Sequence, residues 1–288
     1  MYRILTPFRT LRQVKDPSED KLITDEEVLR SLHCLFACLL QNDLKNQTEL
    51  LRLLPESTQT LYPAAQTEPR ALSPCSVMLR TMGFSVERRT SSLRSAGTGV
   101  FLTGGRAPRG SVVAMYPGTI YQAGEPIFFQ SIRNPFVFRC IDRILIDGND
   151  KSISKIVYRS CSGRDRFGPL HLCDATWLTP HPLNPLAVGQ YINNCSNGLL
   201  DLISPGLKQL TLQCLQGGHL MFFTERAANV CYQELDVPEE FPLELRQFLP
   251  NVNYRVDTRR LLRCVVLVSL RDINEGEELF SNYYTIVH

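Results

Sequence analysis

Near the C-terminus the run Cys264-Val265-Val266-Leu267-Val268-Ser269-Leu270 carries no charge and is apolar at all but one position. Such a run, rich in β-branched valine, reads as a buried strand. Asp272 to Tyr284, DINEGEELFSNYY, comes after it. Asn274-Glu275-Gly276 is a turn signal, Leu279 and Phe280 resume the apolar character, and two tyrosines come almost at the end. Taken alone, the stretch fits an ordinary hairpin whose tyrosines close a core.

Upstream, the chain changes texture once. With 288 residues, 43% of them hydrophobic, it can bury a real core in one large domain or two small ones. Thr24-Asp25-Glu26-Glu27 is a helix start, with Thr24 as cap and Glu27 completing a capping box. Val28, Leu29, Leu32, Leu35, Phe36, Leu39 and Leu40 then recur at helical spacing. A second helix is expected over Leu44 to Leu54, stopping at Pro55, and the polar, proline-rich residues 55–74 predict a loop or linker. Ser76 to Met82 predicts a short helix ended by Gly83. Residues 1–83 thus form a helical N-terminal module with linker, whose apolar face is expected to pack on the adjoining domain. After Gly83 come short β-favouring runs: Phe84–Val86, Val100–Thr103, Ser111–Tyr116, Phe136–Cys140 and Ile144–Ile146. Their spacing predicts small sheets with tight turns rather than βαβ units. Ser160 to Asp174, with Arg164, Asp165 and Arg166 together, reads as a solvated loop, or as one that helps choose a substrate if the chain is an enzyme.

Charge and cysteine usage narrow the function classes. The balance of 31 basic against 29 acidic residues argues against nucleic acid as an obligatory partner. Ten cysteines include no C-x-x-C pair, and Cys34 and Cys38, at helical spacing, read as two small core residues rather than a metal site. No metal is expected. No secretory signal and no apolar run long enough to span a bilayer are read, so no membrane partner is expected, and reduced thiols fit a nuclear or cytosolic protein. Arg3, Arg9, Arg12 and Lys15, with no acid before Asp16, make a mitochondrial transit peptide the alternative, weakened by Pro7.

Three motifs could carry chemistry. Ala96-Gly97-Thr98-Gly99-Val100-Phe101 enters a strand, and its glycines allow a sharp turn and close backbone approach to a ligand. It is neither a P-loop nor a Rossmann fingerprint, lacking G-K-[ST] and opening a strand rather than a helix. Val112 to Gly118, VVAMYPG, comes next along the chain. The second motif, Gly189-Gln190-Tyr191-Ile192-Asn193-Asn194-Cys195-Ser196-Asn197, is a polar loop in which asparagines are ordinary turn formers. The third is the DINEGEELFSNYY stretch. In this order they resemble SET-domain protein methyltransferases: G-x-G-V-F then Y-x-G, R-F-I-N-H-S-C, and D-I-x-x-G-E-E-L closing on tyrosine. Gln190 stands where the family has arginine and Asn194 where it has histidine. A second family asparagine falls at Asn229. Between the two lies a leucine-rich segment, 198–225, that reads as an insertion, of the kind an alternative exon would add. His219 within it has no expected catalytic role.

The resemblance covers about residues 84–284 and implies an α+β, mostly β fold, with small sheets and a knot-like C-terminal threading. It implies a SET domain over 84–288, S-adenosyl-L-methionine as methyl donor, and a lysine side chain of a protein substrate as acceptor. By position, Gly97, Thr98 and Gly99 would give the cofactor backbone contacts, and Asn193 and Asn194 would hold one of its ends. Tyr283 would lie beside the transferring methyl and Tyr116 would line the lysine channel, with Tyr284 a weaker candidate. The alternative is a SET-fold interaction module in which the insert impairs catalysis. No cysteine-rich C-x-C-x4-C tail follows Tyr284, so the zinc-binding element of some members is not expected.

Overall fold

The structure, a computed structural model, describes residues 21–43, 51–62, 71–93, 96–167, 170–195, 227–256 and 262–281. Helix α1 spans Asp25–Asn42. Its start is closed reciprocally: the Glu27 amide donates to Thr24 Oγ1 at 3.2 Å and the Thr24 amide to Glu27 Oε2 at 2.8 Å. Val28, Leu32, Leu35, Phe36, Leu39 and Leu40 are buried, while Cys34 is exposed and Cys38 half-buried, so these cysteines are not the core pair expected. Helix α2, Pro74–Met82, begins two residues before the expected start, because Ser73 caps it and proline suits the first turn. Gly83 closes it in the left-handed conformation, φ +80°. Within the expected linker a short helix, Glu56–Gln59, follows Pro55. Of the expected helix Leu44–Leu54, residues 51–53 are helical and 44–50 lie outside the described residues.

The expected small sheets are present, with strands longer or shorter than the apolar runs by a few residues. β1 (Phe84–Thr90) pairs antiparallel with β2 (Thr98–Ala107), which also takes β13 (Ile273–Asn274). A second sheet orders β3 (Val112–Tyr116), β12 (Leu262–Ser269), β10 (Val230–Val237), β14 (Phe280–Ser281) and β9 (Asn193–Asn194). A third orders β11 (Asn251–Asn253), β4 (Gly118–Tyr121), β6 (Leu145–Asp147) and β5 (Val137–Arg139). β7 (Arg166–Phe167) and β8 (Leu170–His171) form a separate pair. The valine-rich run is β12, flanked on both sides by strands and buried from Cys264 to Ser269.

The turn after β12 is not the hairpin that the local pattern permits. Arg271 to Gly276 carries the chain from the second sheet to the first, where β13 joins β2. Leu102 N–H then donates to Glu277 O at 2.9 Å and Leu279 N–H to Val100 O at 2.8 Å. β14 returns to the second sheet and runs parallel between β10 and β9. The knot-like closure would involve residues 196–226 and 282–288, outside the described residues.

A further helix, α3 (Ser152–Arg164), runs into the segment expected to be a loop. It buries Ser154, Tyr158, Cys161 and Ser162, a face too polar to register as an apolar stripe. Arg164 ends it, bound to Asp165 and to the carbonyls of Asn253 and Tyr254, while Arg166 of the charged trio is exposed. The loop reading therefore fails where α3 and the β7–β8 pair occupy the segment, and Cys173 and Asp174 at its end are buried, while Ser160, Arg166 and His171 are exposed.

One continuous core joins α1 to the sheets. Phe36 packs on Phe248 and Phe241, with ring centroids 5.5 and 6.4 Å apart. Buried Gln233 of β10 accepts from the amides of Leu22 and Ile23 and donates to Ile23 O at 2.8 Å, fastening the approach to α1 onto the sheet. None of the nine cysteines among the described residues forms a disulfide. No helix among those residues is long and apolar enough to cross a membrane.

Candidate functional site

The turn before β2 gives the site its floor. Gly97 has φ +72°, a conformation that disfavours any side chain, with nothing within 4 Å of where a Cβ would stand. Gly99 is glycine for a different reason: a Cβ there would lie 2.2 Å from Glu278 Oε1. Glu278, from the GEEL segment, is thereby brought against the first motif.

Its carboxylate is a buried hub. Ser91 Oγ donates to Oε1 at 2.6 Å, the Ser92 amide to Oε2 at 2.8 Å, and the Ser92 hydroxyl makes a further short contact. Burial opposes the charge most strongly, but these donors together with Asn193 outweigh it and hold the Glu278 carboxyl below its usual pKa. Asn193 Nδ2 donates to Thr98 O at 3.1 Å and reaches Glu278 Oε1 at 3.4 Å. One side chain therefore ties the glycine turn, the asparagine loop and the C-terminal motif together.

Asn229 fixes the last of these. Its amide donates to Phe280 O at 2.9 Å, Phe280 N–H donates to Asn229 Oδ1 at 2.8 Å, and Asn229 Nδ2 donates to Glu278 O at 2.9 Å. A buried carboxamide thus completes the backbone pairing where β14 enters the sheet. Phe280 lies opposite Asn193, and Ser281 opposite both Asn194 and Val230. Asn194 Oδ1 is buried without a hydrogen-bond partner among the described residues, as are both amide atoms of Gln190.

The other wall is aromatic. Tyr116 ends β3, and its hydroxyl donates to Phe136 O at 2.8 Å. Its ring lies 5.4 Å from Phe138 and 6.4 Å from Tyr232, and Ser281 Oγ donates to Tyr232 OH at 3.3 Å. A Cβ on Gly148 would lie 2.8 Å from the Tyr116 ring and 3.2 Å from Gln190 Cβ, so the glutamine sits near the same tyrosine. Tyr191 donates to Asp150 Oδ2 at 2.6 Å and has Arg88 stacked 5.4 Å above its ring. Burial, then the Asp150 carboxylate, pushes the Tyr191 phenol up to about 12.

Of the residues expected in a site, the structure joins Gly97, Thr98, Gly99 and Asn193 directly, and brings Asn194 beside β14. Tyr116 is tied to β14 through Tyr232 and Ser281. Tyr283, Tyr284, Asn197, His219 and the segment 198–225 lie outside the described residues. Sequence reasoning missed Ser91, Ser92, Tyr232 and the hub role of Glu278. Only Glu278 carried a signal, as a carboxylate between a turn and the apolar Leu279-Phe280.

Comparison with known proteins supplies the family. The chain is 53% identical to human SET domain-containing protein 9 over 293 aligned positions, spanning 97% of this chain and 89% of the relative. It is 53% identical to the protein of that name from the orangutan Pongo abelii, spanning 96% of this chain and 97% of the relative. The chain belongs to the SET-domain family. No family model matches it. Membership agrees with the geometry: in this SET-domain protein the three motifs meet around Asn193 and Glu278 although nearly two hundred positions separate Gly97 from the GEEL segment.

Proposed function

We propose that this chain is an S-adenosylmethionine-dependent protein-lysine N-methyltransferase. The observation that carries this reading is the Asn193 carboxamide reaching both Thr98 O and Glu278 Oε1. The residues fit the donor's chemistry. Open space beside Gly97 leaves the turn's backbone accessible to a ligand, and Asn194 Oδ1, without a partner among the described residues, is an acceptor that an amino N–H would satisfy.

When bound, S-adenosylmethionine supplies an electrophilic methyl on a sulfonium. Gly97, Thr98 and Gly99 would contribute main-chain contacts to it, while Asn193 and the Asn194 main chain would orient its polar ends. The acceptor ammonium has no lone pair and must lose a proton from a pKa of about 10.4 before attack. Desolvation depresses that value, and the aromatic wall of Tyr116, Phe138 and Tyr232 excludes water on the acceptor side. Tyr116, anchored on Phe136 O, serves as a fixed channel wall rather than as a base. Orientation then does most of the work, contributing roughly 7–11 kcal/mol in favourable cases. By the family resemblance, Tyr283, outside the described residues, would hold the methyl through weak C–H···O contact with its hydroxyl. Tyr283→Phe is expected to cut labelled-methyl transfer strongly while calorimetric titration with the donor stays intact; an unchanged rate removes Tyr283 from the site.

A specific feature favours a second reading, an interaction module with impaired catalysis. The Cys195 amide donates to Ser281 O at 2.7 Å and the Asn229 amide to Phe280 O at 2.9 Å, so the chain leaves and re-enters on either side of β14. A segment inserted there acts directly on the strands that build the pocket. Calorimetry of the full chain against that of a variant lacking 198–225 separates the two. Donor binding only after deletion identifies the insert as the block.

A further inference from the structure

Five large apolar side chains stand exposed on two adjoining elements. Phe128, Phe129 and Ile132 lie on and after a short helix, Phe128–Ser131, and are 71%, 68% and 58% exposed. Ile153 and Ile156 lie three apart on one face of α3, and Ile156 is 68% exposed. Scattered exposed apolar residues are ordinary, but a contiguous group marks a binding surface.

Buried polar contacts lock the two elements side by side. Asn134 Nδ2 donates to Gln130 O and to Asp147 Oδ1, both at 2.8 Å, and reaches Ser154 Oγ at 3.5 Å. Asn134 itself is buried. Arg133 and Ser152, which flank this clamp, both hold positive φ, 52° and 51°, at non-glycine positions.

Along the two segments that carry the group, the charge has one sign. Residues 127–140 and 151–164 contain Arg133, Arg139, Lys151, Lys155, Arg159 and Arg164 and no acid, in a chain otherwise close to balance. Arg133, Lys151 and Arg159 are exposed and form no ion pair among the described residues. The neighbouring acids are committed: Asp147 to Asn134, Asp150 to Tyr191 and Asp165 to Arg164.

We infer that this surface docks an acidic amphipathic protein segment, whose apolar side chains cover the five residues and whose carboxylates meet the surrounding Arg and Lys. Three of the five are isoleucines, which offer no ring for base stacking, so a nucleic acid is a poorer occupant. Phe136, just beyond Asn134 in the chain, links this region to the aromatic wall: its carbonyl holds the Tyr116 hydroxyl, and its ring lies 6.0 Å from Tyr191. The identification of the docked segment with the lysine acceptor rests on the methyltransferase reading; the docking itself does not.

The test uses the full chain without methyl donor. Fluorescence anisotropy is recorded with a peptide of about four helical turns. Leucines form one of its faces and glutamates the other, and a lysine-for-glutamate counterpart serves as control. Saturable binding of the glutamate peptide is expected, weakening as salt rises, with no binding of the lysine peptide. Phe128→Ser with Ile156→Ser, and separately Arg133→Glu with Arg159→Glu, should each raise Kd about tenfold or more with thermal melts unchanged. Equal binding by these variants, preference for the lysine peptide, or tighter binding to phosphatidylserine vesicles or polyuridylate would overturn the docking assignment. Glutamate peptides carrying one lysine at each successive position are then offered with labelled donor. Transfer to at least one supports the acceptor assignment, and none, with donor binding intact, overturns it. Loss of donor binding alone sinks the methyltransferase reading and leaves the docking result standing.

Discussion

Glu278 is the residue on which the three motifs converge, since its carboxylate collects donors from Ser91, Ser92 and Asn193 within the van der Waals space that a Gly99 side chain would need. Removing it takes a buried acceptor from Ser91, Ser92 and Asn193, of which Asn193 keeps Thr98 O, and an unsatisfied buried group costs about 1–3 kcal/mol. Glu278→Ala is therefore expected to weaken donor binding about tenfold or more by calorimetry. Gly99→Ala should do likewise, because the glutamate tip it would strike is held by its own hydrogen bonds. Asp174 carries a second residue-scale prediction. Buried, and accepting from the Thr176 amide and hydroxyl and the Asn184 amide, it is nevertheless pushed by desolvation up to about 6. An unfolded aspartate titrates near 3.9, so the folded state binds the proton more tightly. Its contribution to stability is full below about pH 4 and is lost as pH rises through about 6. Urea denaturation across that window should show this loss, and Asp174→Asn should flatten it; a slope shared by both proteins would refute the assignment.

The elements differ in how much of them local sequence dictates. α1 is legible to the residue because capping, apolar spacing and burial agree, and α2 needs only Ser73 and Pro74 to correct its start. α3 is not, since its buried side chains are serine, cysteine and tyrosine and its outward face carries isoleucine, the reverse of the usual pattern. β14 is two residues long, too short for any periodicity, and exists because Asn229 and the flanking strands receive it. Asn229→Ala leaves the Phe280 amide and the Glu278 carbonyl without that partner. Amide exchange at 279–281 should then lose protection well before the global transition, with a stability loss of about 1–3 kcal/mol. For α1 the decisive contact is Phe36 between Phe241 and Phe248. Phe36→Ala should cost about 3–5 kcal/mol, read as a shift in the urea midpoint without a change in slope.

At the scale of the molecule, a division into 1–83 and 84–288 remains our proposal for how the chain is organised, with α1 and the sheets sharing one core across that boundary. By itself the sequence determined the capped helices, the strand-rich remainder, the buried valine run and the identity of three motifs, because each depends on neighbours a few residues apart. Only the tertiary structure decided that the turn after β12 changes sheets, that Glu278 lies under Gly99, and that Asn193 reaches Thr98. It also decided that five apolar side chains stay uncovered beside α3. Those outcomes depend on which distant segments meet. A local pattern records the preference of a residue for burial, not the partner that buries it.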